Sequence, residues 1–325
     1  MKVISTFTIY FLATMWCVGY GQYGSNPVLD IPDPEFQDSI RETILVFPDQ
    51  TQLAVALIQD EKVKYFGLLR QKDTLLHVEN HHSTFEIGSI SKVFTAVLLS
   101  ILDSMDVVEG DDTIQDYLDI AWNLETPVKF QHLANHTSGL PRLPPNLNLH
   151  LADPKNPYKN YNEEQLITCL TEQAELSSNP GTKYEYSNLG AGLLGYLLGQ
   201  VFRSDYESML RDMIFTRWNM FHSTTDRSKV KTELIRGIDG KGDPASNWDL
   251  NVLAGAGGIL STVEDLARFA TAHFDPANEV LAHPIRPTFI VNDHMKIGLG
   301  WHILTLDGGK DVVWHNGATG GYTAS

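Results

Sequence analysis

Residues 85–105 read FEIGSISKVFTAVLLSILDSM and contain both an apolar helix and a pair of reactive side chains. Residues 93–105 are apolar at nearly every core-facing position of a helix, which predicts a helix in the centre of the molecule. Ser89 precedes Lys92 by three residues at the start of this helix, a spacing that puts both side chains on one helical face. The lysine nitrogen can therefore reach the serine hydroxyl.

Two interpretations of Ser89 follow from this local pattern. The serine either caps the helix or acts as a nucleophile, since backbone N–H groups at a helix N-terminus stabilise developing negative charge. A serine three residues before a lysine is common, and Ser228 with Lys231 is a second match. That match lies in a polar, turn-rich stretch and is interpreted as a solvated loop. For Ser89 the local pattern leaves both interpretations open.

Strand patterns flank the helical middle of the chain. Residues 53–58 and 63–66 predict a hairpin joined across Asp60 and Glu61. Residues 300–306 and 311–314 predict a second hairpin, because the intervening Asp-Gly-Gly is strong turn chemistry. Both ends of the chain are therefore expected to form strands.

Helical patterns cover residues 163–175, 189–202 and 262–274, and the last opens with a capping box from Ser261 to Glu264. Together these patterns predict an α+β fold, an α/β sandwich with an inserted helical lobe. Its antiparallel sheet is built from the N- and C-terminal segments, at about residues 40–85 and 285–325. The lobe spans about 86–284, and a cleft is expected where the sheet and the lobe meet.

The first twenty-one residues predict a secretory signal peptide. Lys2 is the only charge before Asp30, and residues 3–18 are almost wholly apolar or small. Cleavage after Gly21 would leave a single domain over residues 22–325, exported to a periplasm or secreted, with no stable membrane insertion. Cys169 would then be the sole cysteine, expected in the core with no disulfide.

The net charge of the chain and the spacing of its histidines limit the kinds of partner and cofactor that we expect. The chain has 24 basic and 40 acidic residues, a net charge of −16, which repels nucleic acid and anionic lipid. His77, His81 and His82 cluster upstream of Ser89, but their spacing fits no metal site and predicts a solvated loop. The sequence thus indicates a small-molecule or peptide substrate, no metal and no organic cofactor, and leaves the oligomeric state open.

Two further motifs extend the chemistry of Ser89. Residues 184–188 read YEYSN, and Tyr186 could take the serine proton if a nearby lysine depressed its pKa, while Asn188 could bind a substrate amide. Residues 315–321 read HNGATGG after a predicted strand, and such small residues let a substrate lie along the backbone. The N–H groups of Ala318 and Ser89 could then form an oxyanion hole.

These three motifs, in this order, resemble the serine β-lactamase and penicillin-binding DD-peptidase superfamily, and specifically its class C-like branch. Residues 136–141, HTSGLP, and 255–262, GAGGILST, are also similar to that branch. The likeness covers roughly residues 85–325. Such a set is far more specific than any single motif within it.

The resemblance implies one active site made of seven residues. Its catalytic residues are Ser89 as the nucleophile, with Lys92 and Tyr186 sharing its activation. Its substrate-binding residues are Asn188, His315, Gly317 and Ala318. Which of the two activating residues takes the proton stays open. The implied reaction is cleavage of a β-lactam or of a peptidoglycan-related D-amino acid peptide through an acyl-enzyme.

Two departures from the family pattern bear on this expectation. His315 stands where the β-lactamases carry a lysine, and a histidine of ordinary pKa, near ~6.5, would lose its charge around neutral pH. The histidine favours an esterase or D-aminopeptidase as an alternative, and an inactive envelope-binding homologue is a third hypothesis. Relatives also continue with edge strands and a helix after the position of Ser325, so these elements are expected to be missing here.

Overall fold

The computed structural model describes residues 10–16, as backbone, together with residues 34–59, 62–148 and 152–325. The α-helices of this part are α1 (Pro34–Leu45), α2 (Ser91–Ser104), α3 (Phe130–Ala134), α4 (Glu163–Thr168), α5 (Asn188–Phe202), α6 (Tyr206–Met209), α7 (Val263–Ala272) and α8 (Glu279–Ala282). Within the described residues, no helix combines the length and the apolar character needed to cross a membrane.

The strands of the described part form three antiparallel groups. They are β1 (Tyr10–Trp16), β2 (Thr51–Gln59), β3 (Lys62–Gln71), β4 (Thr74–His77), β5 (Phe85–Glu86), β6 (Leu260–Ser261), β7 (Phe289–Asn292), β8 (Met295–Ile297), β9 (His302–Thr305), β10 (Asp311–Trp314), β11 (Gly317–Ala318) and β12 (Thr323–Ala324). The main sheet has the order β11-β12-β1-β2-β3-β4, a second has the order β10-β9-β8-β7, and β5 pairs with β6.

The predicted α+β architecture is confirmed, since the main sheet takes strands from both ends of the chain and the helices lie between them in sequence. The prediction assigned the whole C-terminal segment to the main sheet, which is only partly correct. The hairpin β9–β10 forms as expected but belongs to the separate four-stranded sheet, where it pairs with the preceding hairpin β7–β8. Pairing with a sequence neighbour closes a shorter loop and costs less chain entropy.

Strand β1 lies between β2 and β12, with Ala13 opposite Ala54 on one side and Ala324 on the other. This strand falls within the predicted signal peptide. The other parts of that segment, including Cys17 and the predicted cleavage point at Gly21, lie outside the described residues. The signal peptide therefore stays a prediction.

Strand β2 explains why the main sheet is covered on both faces. Successive side chains of a strand point to opposite faces. Leu53 and Val55 pack with the buried residues of α1, whereas Ala54, Ala56 and Ile58 belong to the larger core shared with the helical lobe. The sheet is therefore one layer of a sandwich, in agreement with the nearly continuous burial of β2.

Two local expectations change in the structure. Helix α7 is capped by Thr262, whose hydroxyl accepts a hydrogen bond from the backbone N–H of Asp265, and not by Ser261. Ser261 is unavailable because it pairs with Phe85 in the β5–β6 ladder. The predicted helix 163–175 becomes α4 followed by a π-helical turn at Cys169–Gln173, with Cys169 buried as expected.

The backbone of helix α5 lies in close contact with the backbone of the segment Asn251–Ala256. A Cβ placed on Gly195 would lie 3.0 Å from the Cα of Gly255, and one on Gly255 would lie 2.9 Å from the carbonyl oxygen of Ala191. Only glycine fits at such a crossing. This contact fixes the position of Ala256 beside the buried helix α2.

We expect Gly195→Val to lower the free energy of unfolding by about 1–3 kcal/mol, because the added atoms overpack the contact with Gly255. The measurement is urea denaturation followed by circular dichroism. Gly240→Val is the matched control, since nothing lies within 4 Å of a Cβ at that exposed position, and it should change stability by less than about 0.5 kcal/mol. Equal losses in both variants would contradict this account of the crossing.

Candidate active site

Ser89 and Lys92 meet where a short 3₁₀ turn, Gly88–Ile90, runs directly into α2. The Lys92 Nζ donates a hydrogen bond to the Ser89 Oγ at 2.9 Å and another to the carbonyl oxygen of Ala256 at 2.6 Å. Lys92 is only 3% exposed, whereas Ser89 is partly open to solvent. The structure therefore places a reachable hydroxyl against a buried amine.

Burial determines the charge of this amine. Removal from water lowers the pKa of Lys92 well below its usual value, and the positive charge of Arg142 lowers it further. Among the described residues, no carboxylate contributes to this shift. The site therefore disfavours the charged form of Lys92, and an amine that has lost its proton can accept the proton of Ser89.

Tyr186 packs beside this pair, with the centre of its ring 4.8 Å from the Lys92 Nζ. Burial raises the pKa of Tyr186 to about 12, although its hydrogen bond with Ser89 and the charge of Arg142 act in the opposite direction. The sequence-based expectation of a depressed pKa is not met, because burial disfavours the phenolate more than Ser89 and Arg142 favour it. Tyr186 is a neutral phenol at neutral pH.

The backbone next to Ser89 lies directly against strand β11. A Cβ on Gly317 would lie 2.0 Å from the carbonyl oxygen of Ile87 and 2.8 Å from the Ser89 nitrogen, and one on Gly88 would lie 2.7 Å from the Ala318 nitrogen. Gly88 also has a φ of 51°, which other residues rarely adopt. These glycines let the backbone nitrogens of Ser89 and Ala318 lie in neighbouring, closely packed segments, an arrangement that an oxyanion hole requires.

His315 follows β10 and is 4% exposed. Its Nδ1 lies 2.7 Å from the carbonyl oxygen of Asn316, and its Nε2 has no hydrogen-bond partner among the described residues. Burial, aided by His302 and Lys92, lowers the pKa of His315 well below its usual value. The loss of charge expected around neutral pH therefore occurs at lower pH, and the ring is neutral at pH 7.

Sequence reasoning missed the side chains that pack behind His315. Tyr184 and His302 are joined by a hydrogen bond of 2.9 Å between the Tyr184 Oη and the His302 Nε2, and the His302 ring centre is 5.0 Å from that of His315. Burial lowers the pKa of His302 to about 4. His302 lies in a predicted strand, and no local pattern distinguishes it from an ordinary strand residue.

The loop that contains residues 136–141 holds the tyrosine motif in place. The backbone N–H of Ser187 donates to the His136 Nδ1 at 3.2 Å, and the Ser187 hydroxyl donates to the carbonyl oxygen of Pro141 at 2.7 Å. The N–H of Asn188 donates to the carbonyl oxygen of Arg142 at 2.9 Å. The Asn188 Oδ1 is buried with no partner among the described residues, so its hydrogen-bonding capacity is unused.

Ser228, the other serine that precedes a lysine by three residues, takes no part in these contacts. Ser228 is exposed in a 3₁₀ turn, Arg227–Lys229, and its hydroxyl donates to the Asp226 carboxylate at 2.7 Å. This is the solvated loop that its surroundings predict. Within the part of the chain that the structure describes, no lysine amine forms a hydrogen bond with the Ser228 hydroxyl, in contrast to Lys92 and Ser89.

One group in the described part of the chain has donor atoms close enough to hold a metal ion: His222, Glu264 and Asp265. The Arg268 guanidinium pairs with both carboxylates at 2.8 Å and occupies their charge. The His82 ring, which the sequence placed in a solvated loop, also contacts Glu264, at 2.8 Å. The donor set is thus already engaged by cationic and polar side chains, which does not favour a metal.

Comparisons with known proteins agree with this geometry. The family model described as Beta-lactamase matches residues 47–325. A beta-lactamase of Pseudomonas fluorescens is 26% identical over 275 residues, which are 82% of this chain and 73% of that protein. The D-alanyl-D-alanine-carboxypeptidase/endopeptidase AmpH of Escherichia coli (strain K12) is 23% identical over 261 residues, 74% of this chain and 66% of that protein.

Solved structures share the fold at low identity. A beta-lactamase/D-alanine carboxypeptidase from Pseudomonas syringae has a TM-score of 0.71 and 20% identity, over 89% of this chain and 88% of its own. An octameric penicillin-binding protein homologue from Pyrococcus abyssi has a TM-score of 0.74 and 22% identity, over 90% and 70%. With a family model that covers most of its length and this shared architecture, the chain belongs to the beta-lactamase family, in the superfamily of serine β-lactamases and penicillin-binding DD-peptidases.

Proposed function

We propose that this beta-lactamase-family protein is a class C-type serine hydrolase that forms an acyl-enzyme on Ser89. The observation that carries the proposal is the buried Lys92 amine, 2.9 Å from the Ser89 Oγ and shifted towards its neutral form. The first candidate substrates are β-lactams and peptidoglycan-related D-amino acid peptides. The names of the beta-lactamase and carboxypeptidase relatives support this choice.

In the first step, Lys92 accepts the proton of Ser89 while the Ser89 Oγ bonds to the substrate carbonyl carbon. The carbonyl oxygen becomes an oxyanion, which the N–H groups of Ser89 and Ala318 stabilise. Lys92 suits the role of base better than Tyr186, because a phenol with a pKa of about 12 is protonated at neutral pH. Burial thus supports a mechanism in which Lys92, and not Tyr186, takes the proton of Ser89.

In the second step, the tetrahedral intermediate collapses and the bond to the leaving group breaks. Tyr186 donates its proton to the leaving nitrogen or oxygen and regains one from the Lys92 ammonium. The acyl group remains on Ser89 as an ester. Water then attacks this ester while Lys92 accepts a proton from it, the bond between the acyl carbon and the Ser89 Oγ breaks, the Lys92 ammonium returns the proton to Oγ, and the acid product leaves.

A second candidate is an esterase or D-aminopeptidase that uses the same residues. The specific observation in its favour is the neutral His315, which offers no charge to a carboxylate where β-lactamases have a lysine. An ester also has a better leaving group than an amide, so its cleavage depends less on the proton that Tyr186 supplies. Both candidates share the acyl-enzyme.

Export belongs to the same proposal. The apolar residues 3–18 support a signal peptide, and the family resemblance supports a periplasmic or secreted location. Among the described residues, Cys169 is a buried free thiol and forms no disulfide.

The first test is covalent labelling followed by intact-mass spectrometry. We expect benzylpenicillin, or an activated ester if the second candidate holds, to add one acyl group to the wild-type protein. Ser89→Ala should abolish the adduct. Ser228→Ala is the matched control from the other serine–lysine pair and should label as the wild type does. An adduct that persists in folded Ser89→Ala would remove Ser89 from the mechanism.

Tyr186→Phe should separate amide from ester cleavage. The variant keeps the packed ring but loses the proton donor, so acylation by an amide should slow by on the order of 10²-fold or more, and acylation by a p-nitrophenyl ester by clearly less. Stopped-flow acylation rates provide the measurement. An equal slowing for both substrates would instead make Tyr186 the base that activates Ser89.

The neutral His315 leads to a prediction about pH. A histidine of ordinary pKa would be charged at pH 6 and neutral at pH 8, so KM for a carboxylated substrate would rise over that range. Because burial lowers the pKa of His315, we expect this KM to show no histidine-dependent change between pH 6 and 8, in the wild type and in His315→Gln alike. A rise in the wild type that His315→Gln removes would show that the ring is charged.

A further inference from the structure

One exposed guanidinium lies beside the Ser89–Lys92–Tyr186 group. Arg142 is exposed, and its guanidinium lies 5.2 Å from the centre of the Tyr186 ring, which is also 4.8 Å from the Lys92 Nζ. Among the described residues no carboxylate forms an ion pair with Arg142, which is also true of Arg217, so the position of Arg142 beside the reactive residues is what distinguishes it.

The other basic groups at the site are buried, which disfavours their charged forms. Burial lowers the pKa values of Lys92, His136, His302 and His315, and Arg142 is among the charges that act on Lys92 and His136. Arg142 is exposed, so its guanidinium is the cationic group at this site that a solvated anion can reach.

The backbone of Arg142 is fixed relative to the groups that would hold the substrate. Its carbonyl oxygen accepts hydrogen bonds from the N–H groups of Asn188, at 2.9 Å, and Leu189, at 3.4 Å. The preceding Pro141 is bound by the Ser187 hydroxyl at 2.7 Å. These hydrogen bonds hold the backbone of Arg142 next to Asn188.

We infer that Arg142 binds a carboxylate in the acyl part of the substrate and thereby sets a preference for anionic acyl groups. This inference rests on the proposed function, in which Asn188 contacts the amide of the same acyl part. The guanidinium offers a planar pair of donors that matches a carboxylate. It also offsets, at the site, the repulsion that an acidic protein exerts on an anionic substrate.

The test compares two esters that share a leaving group: p-nitrophenyl butyrate, which is neutral, and mono-p-nitrophenyl glutarate, which carries a carboxylate at the far end of its acyl chain. The measured quantity is the kcat/KM of the glutarate ester divided by the kcat/KM of the butyrate ester. Arg142→Gln should lower this ratio by about 10-fold or more, mainly through KM, in line with the loss of a charge-assisted hydrogen bond. Arg142→Lys should restore part of it.

Arg217→Gln is the matched control, because the Arg217 guanidinium also lies 5.2 Å from an aromatic ring, that of Trp218, and is exposed. Its ratio should equal that of the wild type. The ratio is used because the charge of Arg142 also lowers the pKa of Lys92, an effect common to both esters. An unchanged ratio in Arg142→Gln would overturn the inference.

A separate measurement distinguishes this inference from the proposed function. If the folded wild type shows no Ser89-dependent turnover of either ester, the proposed function fails. Calorimetric titration of Ser89→Ala with glutarate, against the double variant Ser89→Ala/Arg142→Gln, then decides the role of Arg142. Binding that the second substitution abolishes supports the carboxylate site, whereas equal binding, or none in either protein, overturns it.

Discussion

The burial of the Lys92 amine is the constraint on which the rest of the site depends. A lysine side chain is normally solvated and charged, and it becomes a base only where removal from water makes the charged form costly. Helix α2 supplies that environment, because every residue from Ser91 to Leu102 is buried. The two acceptors of the amine, the Ser89 Oγ and the Ala256 carbonyl oxygen, satisfy its donors without adding a negative charge.

Close backbone contacts bring these partners together. Gly195 and Gly255 allow helix α5 to pack closely against the segment Asn251–Ala256. This packing places the Ala256 carbonyl oxygen within hydrogen-bond distance of the Lys92 Nζ. Gly317 and Gly88 do the same for strand β11 and the turn that contains Ser89. The packing of the core and the geometry of the oxyanion hole therefore share one requirement, which is the absence of a side chain at a few crossings.

The same desolvation that activates Lys92 removes charge from its surroundings. Burial lowers the pKa values of His302 and His315 as it lowers that of Lys92, and Tyr186 keeps its proton because a buried phenolate is equally unfavourable. A site organised in this way can move protons but disfavours buried charge with which to select a substrate. In the inference above, selection by charge is made by Arg142, which is exposed beside Tyr186.

Local periodicity and motif order let the sequence by itself determine much of this protein. The buried helix after Ser89, the hairpin β2–β3, helix α5 and the α+β class follow from apolar spacing and turn residues, which act over a few neighbours. The spacing of Ser89 and Lys92 likewise predicted that their side chains would meet.

Only the tertiary structure decided the remaining features. It placed β9–β10 in a second sheet, moved the cap of α7 to Thr262, and put Arg142 beside Tyr186. It also set the protonation of Lys92, Tyr186 and His315. These properties depend on which distant segments cover a residue and exclude water from it. A local sequence pattern does not show how deeply distant segments bury a residue.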